Sequence, residues 1–236
     1  MCTILSIETA TPACSCALSR DGELLLSRED FRGQSHATLL GVFVEEIMTH
    51  VRHEGLALDA IAVSSGPGSY TGLRIGVSEA KGLSYGLGIP LIAIPTPLIM
   101  AAMVAERAGE DDLLCPMIDA RRMEVYATFF TPSLSTVRAT AADIVDEESY
   151  LDLLSRHKVL FFGNGAEKCR PVITHPHALF AEDIHPLASA MIPLAEKAWE
   201  EKRFVDTAYF EPFYLKEFVA TVPKNKIIPT KGNTYL

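Results

Sequence analysis

Strand and helix signals alternate along this chain in one order, and that order recurs. Ile4 to Glu8 is an apolar run and Cys14 to Ser19 a second. Asp21-Gly22 supplies a tight hairpin turn, and Glu23 to Arg28 returns as a third strand. Ser35 reads as the N-cap of a helix from His36 to about Arg52. Asp59 to Ser64 is a buried strand, and a glycine-rich turn and a helix to about Tyr85 follow. Gly88-Ile89-Pro90 breaks that helix, Leu91 to Ile94 is the next strand, and a helix from about Pro97 to Arg107 closes the unit. Beyond the polar stretch Gly109-Glu110-Asp111-Asp112, three strands follow: Leu113 to Asp119, Glu124 to Thr131 and Thr136 to Thr140. A helix at Glu147 to Arg156, a strand at Val159 to Phe162 and a short helix at Ala166 to Arg170 come next. Ala178 to Ala181 is a weak strand, and Leu187 to Lys202 an amphipathic helix. Each half reads β-β-β-α-β-α-β-α, so two lobes are expected, 1–108 and 109–236.

A repeated unit of this order is the layout of the actin/Hsp70/sugar-kinase superfamily, a two-lobed, ribonuclease H-like α/β fold. The likeness lies in element order rather than in residue identity between the halves. With 48% hydrophobic and 22% charged residues the chain can bury a real core. No stretch approaches the roughly 18 apolar residues of a membrane span. Met1 to Glu8 lacks the basic region, apolar run and small-residue cleavage site of a secretory leader, so a cytoplasmic protein is expected. The five cysteines are spread out with no C-x-x-C pair for zinc, and read as small buried apolar residues. A net charge of -9 argues against holding nucleic acid alone, so any RNA role falls to a partner.

The glycine-rich turn is Gly66-Pro67-Gly68-Ser69-Tyr70-Thr71-Gly72. It has one residue too many before Gly72 for a dinucleotide fingerprint, and Leu73 stands where a P-loop needs lysine. Glycines still permit a turn that other residues cannot make, and N–H groups opening a helix favour an anion. Ser69 and Thr71 add hydroxyls, and Arg74 a nearby cation. The alternative is a tight connection with glycines for steric reasons only.

Gly72, Gly76, Ala80 and Ser84 recur every fourth residue, a ridge of small side chains that lets another element approach closely. The helix from His36 is unusually apolar: Leu40, Val44, Ile47 and Val51 make one stripe, and Leu39, Val42 and Phe43 widen it. Both helices either pack on their own sheet or form a partner interface centred on His36, Leu39, Leu40, Phe43 and the ridge.

Ile4-Leu5-Ser6-Ile7-Glu8-Thr9-Ala10-Thr11 with Ala13 to Leu18, and above all Gly66 to Gly76, resemble segments of one family, the bacterial TsaB (YeaZ) proteins. Ile118-Asp119-Ala120-Arg121 with Glu124-Val125-Tyr126, and Glu211-Pro212-Phe213-Tyr214-Leu215-Lys216, are similar to two further family segments. The resemblance is dense over 1–130, thin over 131–206, and returns near Tyr209. It implies the two-lobed fold and a role in making threonylcarbamoyladenosine beside the tRNA anticodon. It also implies a non-catalytic subunit that pairs with a TsaD-type enzyme through helices of the first lobe, joined by the ATPase TsaE, and a homodimer when alone.

Departures from relatives bear on chemistry. TsaD-type proteins hold a metal with an H-x-x-x-H pair beyond the glycine-rich turn, and Leu91 to Glu110 contains no histidine. His50 with His53, and His175 with His177, read as solvated surface rather than a metal site. Where nucleotide-binding relatives have an aspartate ending strand one, this chain has Glu8, followed by Thr9. Glu8, Thr9, Gly66, Gly68, Ser69, Thr71 and Arg74 form the expected anion or nucleotide site, with ATP or ADP at the complex interface and no cofactor of the chain's own. Asp119, Arg121 and Glu124 read as solvated charges or an interlobe contact. Lys216, Lys224, Lys226 and Lys231 make the tail basic. A free-standing ATP-binding enzyme and a metallopeptidase are the rival readings.

Overall fold

The computed structural model describes residues 1–33 and 35–215. The basic tail read from Lys216 onward lies outside them.

Strand β1 (Thr3–Glu8) is buried along its whole length, which its apolar run dictates. It pairs antiparallel with β2 (Cys14–Arg20), Ile7 opposite Cys16, and parallel with β4 (Ala60–Ser64), Ile7 beside Val63. β3 (Glu23–Asp30) returns from a hairpin in which Asp21 and Gly22 both take positive φ, 50° and 79°. That is the turn that matches strand twist. β5 (Leu91–Ile94) completes the order β3-β2-β1-β4-β5. The second sheet is built alike from β6 (Leu113–Asp119), β7 (Glu124–Phe130), β8 (Thr136–Ile144), β9 (Val159–Phe162) and β10 (Ala178–Ala181). Its order is β8-β7-β6-β9-β10, with the same two antiparallel and two parallel pairings. The fold is the two-lobed α/β arrangement the element order implied.

Helix α1 (His36–His53) buries Leu40, Val44, Ile47 and Val51 on the first sheet, and α2 (Tyr70–Leu87) buries Leu73, Val77 and Ala80 beside them. α3 (Thr96–Ala102) joins the two halves. Its Ile99 packs with Ile92 and Ile94, while Met100 and Ala101 pack against Leu114, Phe130 and Phe162 of the second sheet. The last helix, read as Leu187 to Lys202, is shorter: α6 (Ile192–Glu200) starts one residue before Pro193, which is tolerated only in a first turn. α6 comes from the second half of the sequence yet covers the first sheet, Ala195 and Ala198 lying over Ile4, Ala62 and Ile92.

The helix expected from Glu147 to Arg156 shrinks to α4 (Leu151–Leu154). Asp146 binds the Glu148 N–H at 3.1 Å and the Ser149 hydroxyl at 2.7 Å, so its side chain offers the backbone a turn in place of a helix. Before α6, α5 (Ala166–Cys169) is a single turn. Among the described residues no helix is long and apolar enough to cross a membrane.

Candidate functional site

The expected site sits where β4 turns into α2. Ser69 caps α2, its Oγ accepting the Gly72 N–H at 3.2 Å, and its own N–H donates to the Ala10 carbonyl at 2.7 Å. Thr9 Oγ1 donates to the Gly72 carbonyl at 2.8 Å. A side chain at Gly68 would overlap Ala10, and one at Gly72 or Gly76 would overlap Thr9. These glycines therefore serve close approach of backbones: they seat α2 on the end of β1. The capping hydroxyl of Ser69 takes a donor that a phosphate would otherwise meet. Thr71 and Arg74 lie exposed at the helix start.

Glu8 is fully buried. Its Oε1 accepts the Ala10 N–H at 2.5 Å, while Oε2 has no hydrogen-bond partner among the described residues. Burial pushes its pKa up to about 7, against which the Ala10 N–H pulls it back. The hydroxyls of Ser64 and Thr96 are likewise buried without a hydrogen-bond partner. Burial disfavours the ionised form of this carboxyl, the form that would face a magnesium ion. Glu8 and Thr9 instead organise the turn that holds the helix. Among the described residues no three His, Cys, Asp or Glu side chains stand close enough to hold a metal.

A segment that sequence reasoning left unassigned closes this site. Val205 to Tyr214 runs back over the first lobe: Val205 N–H donates to the Leu91 carbonyl at 2.9 Å, and Lys81 Nζ reaches the carbonyls of Ala208 and Phe210 at 3.1 and 2.9 Å. Phe213 N–H donates to the Ser65 carbonyl at 2.7 Å. A Cβ at Gly66, whose φ is +97°, would stand 2.9 Å from the Phe213 carbonyl. Tyr214 lies over Tyr70 with ring centroids 4.6 Å apart. The family-like run from Glu211 was the signal for it.

The expected partner interface requires correction. Gly72, Gly76, Ala80 and Ser84 are buried within the chain: the glycines face Thr9, Ala80 lies in the first core, and Ser84 Oγ donates to Ile89 O at 2.6 Å. His36 is buried too, its Nε2 2.9 Å from the Thr11 carbonyl, and Leu40 is core. Small residues at helical spacing cannot say which side they face, and here they face their own sheet. Leu39 and Phe43 are half-buried at the surface of α1. What lies outward is a different set: Val42, 48% exposed, with Gly41, Gly82 and Gly86. A Cβ at any of those three glycines would meet nothing within 4 Å among the described residues.

Asp119, Arg121 and Glu124 are brought together at the β6–β7 turn, where Arg121 and Arg122 take positive φ of 71° and 48°. Asp119 accepts Lys168 Nζ and the Arg121 N–H, and Lys168 also binds the Glu124 carbonyl at 2.7 Å. Asn164 Oδ1 accepts the Asp119 N–H at 3.0 Å. These contacts stay inside the second lobe and tie the hairpin to α5, with Lys168 supplying the countercharge that sequence reading missed.

Comparison with known proteins places this architecture. The family described as "TsaD: tRNA N6-adenosine threonylcarbamoyltransferase" matches residues 31–223. The tRNA threonylcarbamoyladenosine biosynthesis protein TsaB of Escherichia coli (strain K12) is 32% identical over 227 residues, 92% of this chain and 96% of that protein. Its namesake in Haemophilus influenzae is 28% identical, over 92% of this chain and 94% of that one. Among solved structures, YeaZ from Pseudomonas aeruginosa is similar with a TM-score of 0.74 and 26% identity, covering 91% of this chain and 100% of the other. A second chain from that organism, described as similar to peptidase YEAZ, reaches a TM-score of 0.79 at 26% identity, covering 92% of this chain and 100% of that one. On sequence and architecture together, the chain belongs to the TsaB (YeaZ) family.

Proposed function

We propose that this chain serves tRNA threonylcarbamoyladenosine biosynthesis as a non-catalytic scaffold that pairs with a TsaD-type catalytic subunit through the outer surface of α1 and α2. The observation that carries the reading is the set of helix glycines Gly41, Gly82 and Gly86, which have open space where a side chain would be among the described residues. Gly41 and Gly82, inside their helices, each cost about 1 kcal/mol of helix stability relative to alanine. Among the described residues no neighbour needs that space, so an outside backbone approaching closely is what they suit. Val42, Leu39 and Phe43 supply apolar area beside them.

Non-catalytic is supported by the site itself. Glu8 is enclosed and engaged by Ala10, and the glycine turn is spent on packing. In this reading the chain holds no nucleotide alone, and ATP or ADP sits where it meets the TsaD-type subunit. A TsaE-type ATPase completes the assembly, tRNA is reached only through the complex, and the same helix surface forms a homodimer when the partner is missing. The work is cytoplasmic, where the tRNA is. The test is to mix purified chain with its cognate TsaD-type and TsaE-type subunits. A complex should form, and Gly82→Arg should abolish it while thermal unfolding stays close to wild type. A Gly82→Arg chain that binds as well as the parent removes this surface from the proposal.

A further inference from the structure

We propose that the outer edge of β8 is a docking strip for an extended, lysine- or arginine-bearing segment of a protein partner. β8 ends one side of the second sheet, and among the described residues no strand pairs with its outer edge. Open N–H and C=O groups on an edge accept one more strand. Beside that edge is an open hollow of about 720 Å³ lined by Val137, Arg138, Ile144, Tyr150, Asp152 and Leu153.

The floor of the hollow is fixed. Arg138 grips Asp143 through both terminal nitrogens at 2.6 and 2.7 Å, and the Tyr150 hydroxyl donates to the same carboxylate at 2.8 Å. The Arg138 guanidinium lies over the rings of Phe129 and Tyr150, at 5.8 and 5.7 Å. Tyr150 is held at φ +64°, a left-handed backbone that a bulky residue takes only under constraint. The rim is apolar: Ile144 is 76% exposed, and Val137 and Leu151 are exposed as well.

Charge selects the occupant. Residues 143–152 carry Asp143, Asp146, Glu147, Glu148 and Asp152 and no lysine or arginine. Asp143 is neutralised by Arg138 and Asp152 faces Arg156 at 4.0 Å, which leaves exposed Asp146, Glu147 and Glu148 as the negative charge of the loop beside the hollow. A segment alternating cationic and β-branched residues meets both features, because strand side chains alternate between faces. The same charge turns nucleic acid away. The strip lies in the second lobe, away from α1 and α2, so it stands independently of the pairing proposed above.

The probe is a fluorescein-labelled peptide of about ten alternating lysines and valines, titrated with the full chain at low salt and followed by anisotropy. Saturable binding is expected, weakened at least about tenfold by Ile144→Lys and by added salt. Leu179→Lys, on the opposite edge strand β10, should leave it unchanged, and a glutamate–valine peptide should not bind. Both substituted side chains are exposed, so folding is retained and is checked by circular dichroism. No saturable binding, or equal effects of Ile144→Lys and Leu179→Lys, overturns the proposal. So does loss of self-association in Ile144→Lys, which would seat a second copy on the strip. A rise in probe affinity on Lys224→Glu with Lys226→Glu would seat the chain's own end there, and overturns it too.

Discussion

Replacing Glu8 by glutamine tests whether the first lobe carries a buried neutral carboxyl. In the folded chain burial lifts this group from 4.5 to about 7, so between those values the folded form keeps a proton that the unfolded chain has released. Stability therefore falls as pH rises through that window, because the folded state binds more protons than the unfolded one. At about 1.4 kcal/mol per pH unit, the loss amounts to roughly 3 kcal/mol by neutral pH. Glutamine keeps an oxygen for the Ala10 N–H and carries no charge, so Glu8→Gln removes this component. The assay is urea unfolding at a series of pH values, read as the difference in stability between variant and wild type. The two should nearly coincide at low pH and separate as pH rises, the variant becoming the more stable by about 2–3 kcal/mol above neutrality. A difference that stays flat across the window would mean that Glu8 ionises as in water, and that the enclosed carboxyl is misdescribed.

Gly76→Ala should destabilise by about 1–2 kcal/mol despite alanine's better helix propensity, because the methyl meets a Thr9 hydroxyl tethered to Gly72; thermal unfolding reads the sign directly. Ala80→Trp should unfold the first lobe rather than merely block pairing, since Ala80 is fully buried, and loss of near-ultraviolet circular dichroism reports it. Tyr214→Ala should loosen the returning segment by about 1 kcal/mol through the lost Tyr70 contact, seen as faster amide exchange of Phe213.

Much of the fold was legible because period and punctuation agree. Strands β1, β2, β4 and β5 are apolar runs bounded by turn residues, and Asp21-Gly22 specifies its hairpin unaided. In the second lobe short β9 and β10 were legible at their observed bounds, but the Asp146 turn replaced a helix that residue composition favoured. α6 was legible as a helix but not as a cover for the other lobe's sheet, since amphipathicity names a buried face without naming what buries it. The same limit misplaced the interface. Gly72, Gly76, Ala80 and Ser84 form a ridge in any helix, but only the position of Thr9 shows that it points inward. Gly41, Gly82 and Gly86 lie exposed instead, and spacing alone could not separate the two sets.

The central claim is that the chain acts by pairing with a TsaD-type enzyme rather than by chemistry of its own. Reconstituted threonylcarbamoyl transfer to tRNA, with TsaD-type and TsaE-type subunits present and this chain added or withheld, tests it most directly. Transfer should depend on the added chain and should be lost with Gly82→Arg. Transfer at full rate without the chain, or with Gly82→Arg in its place, would contradict the account.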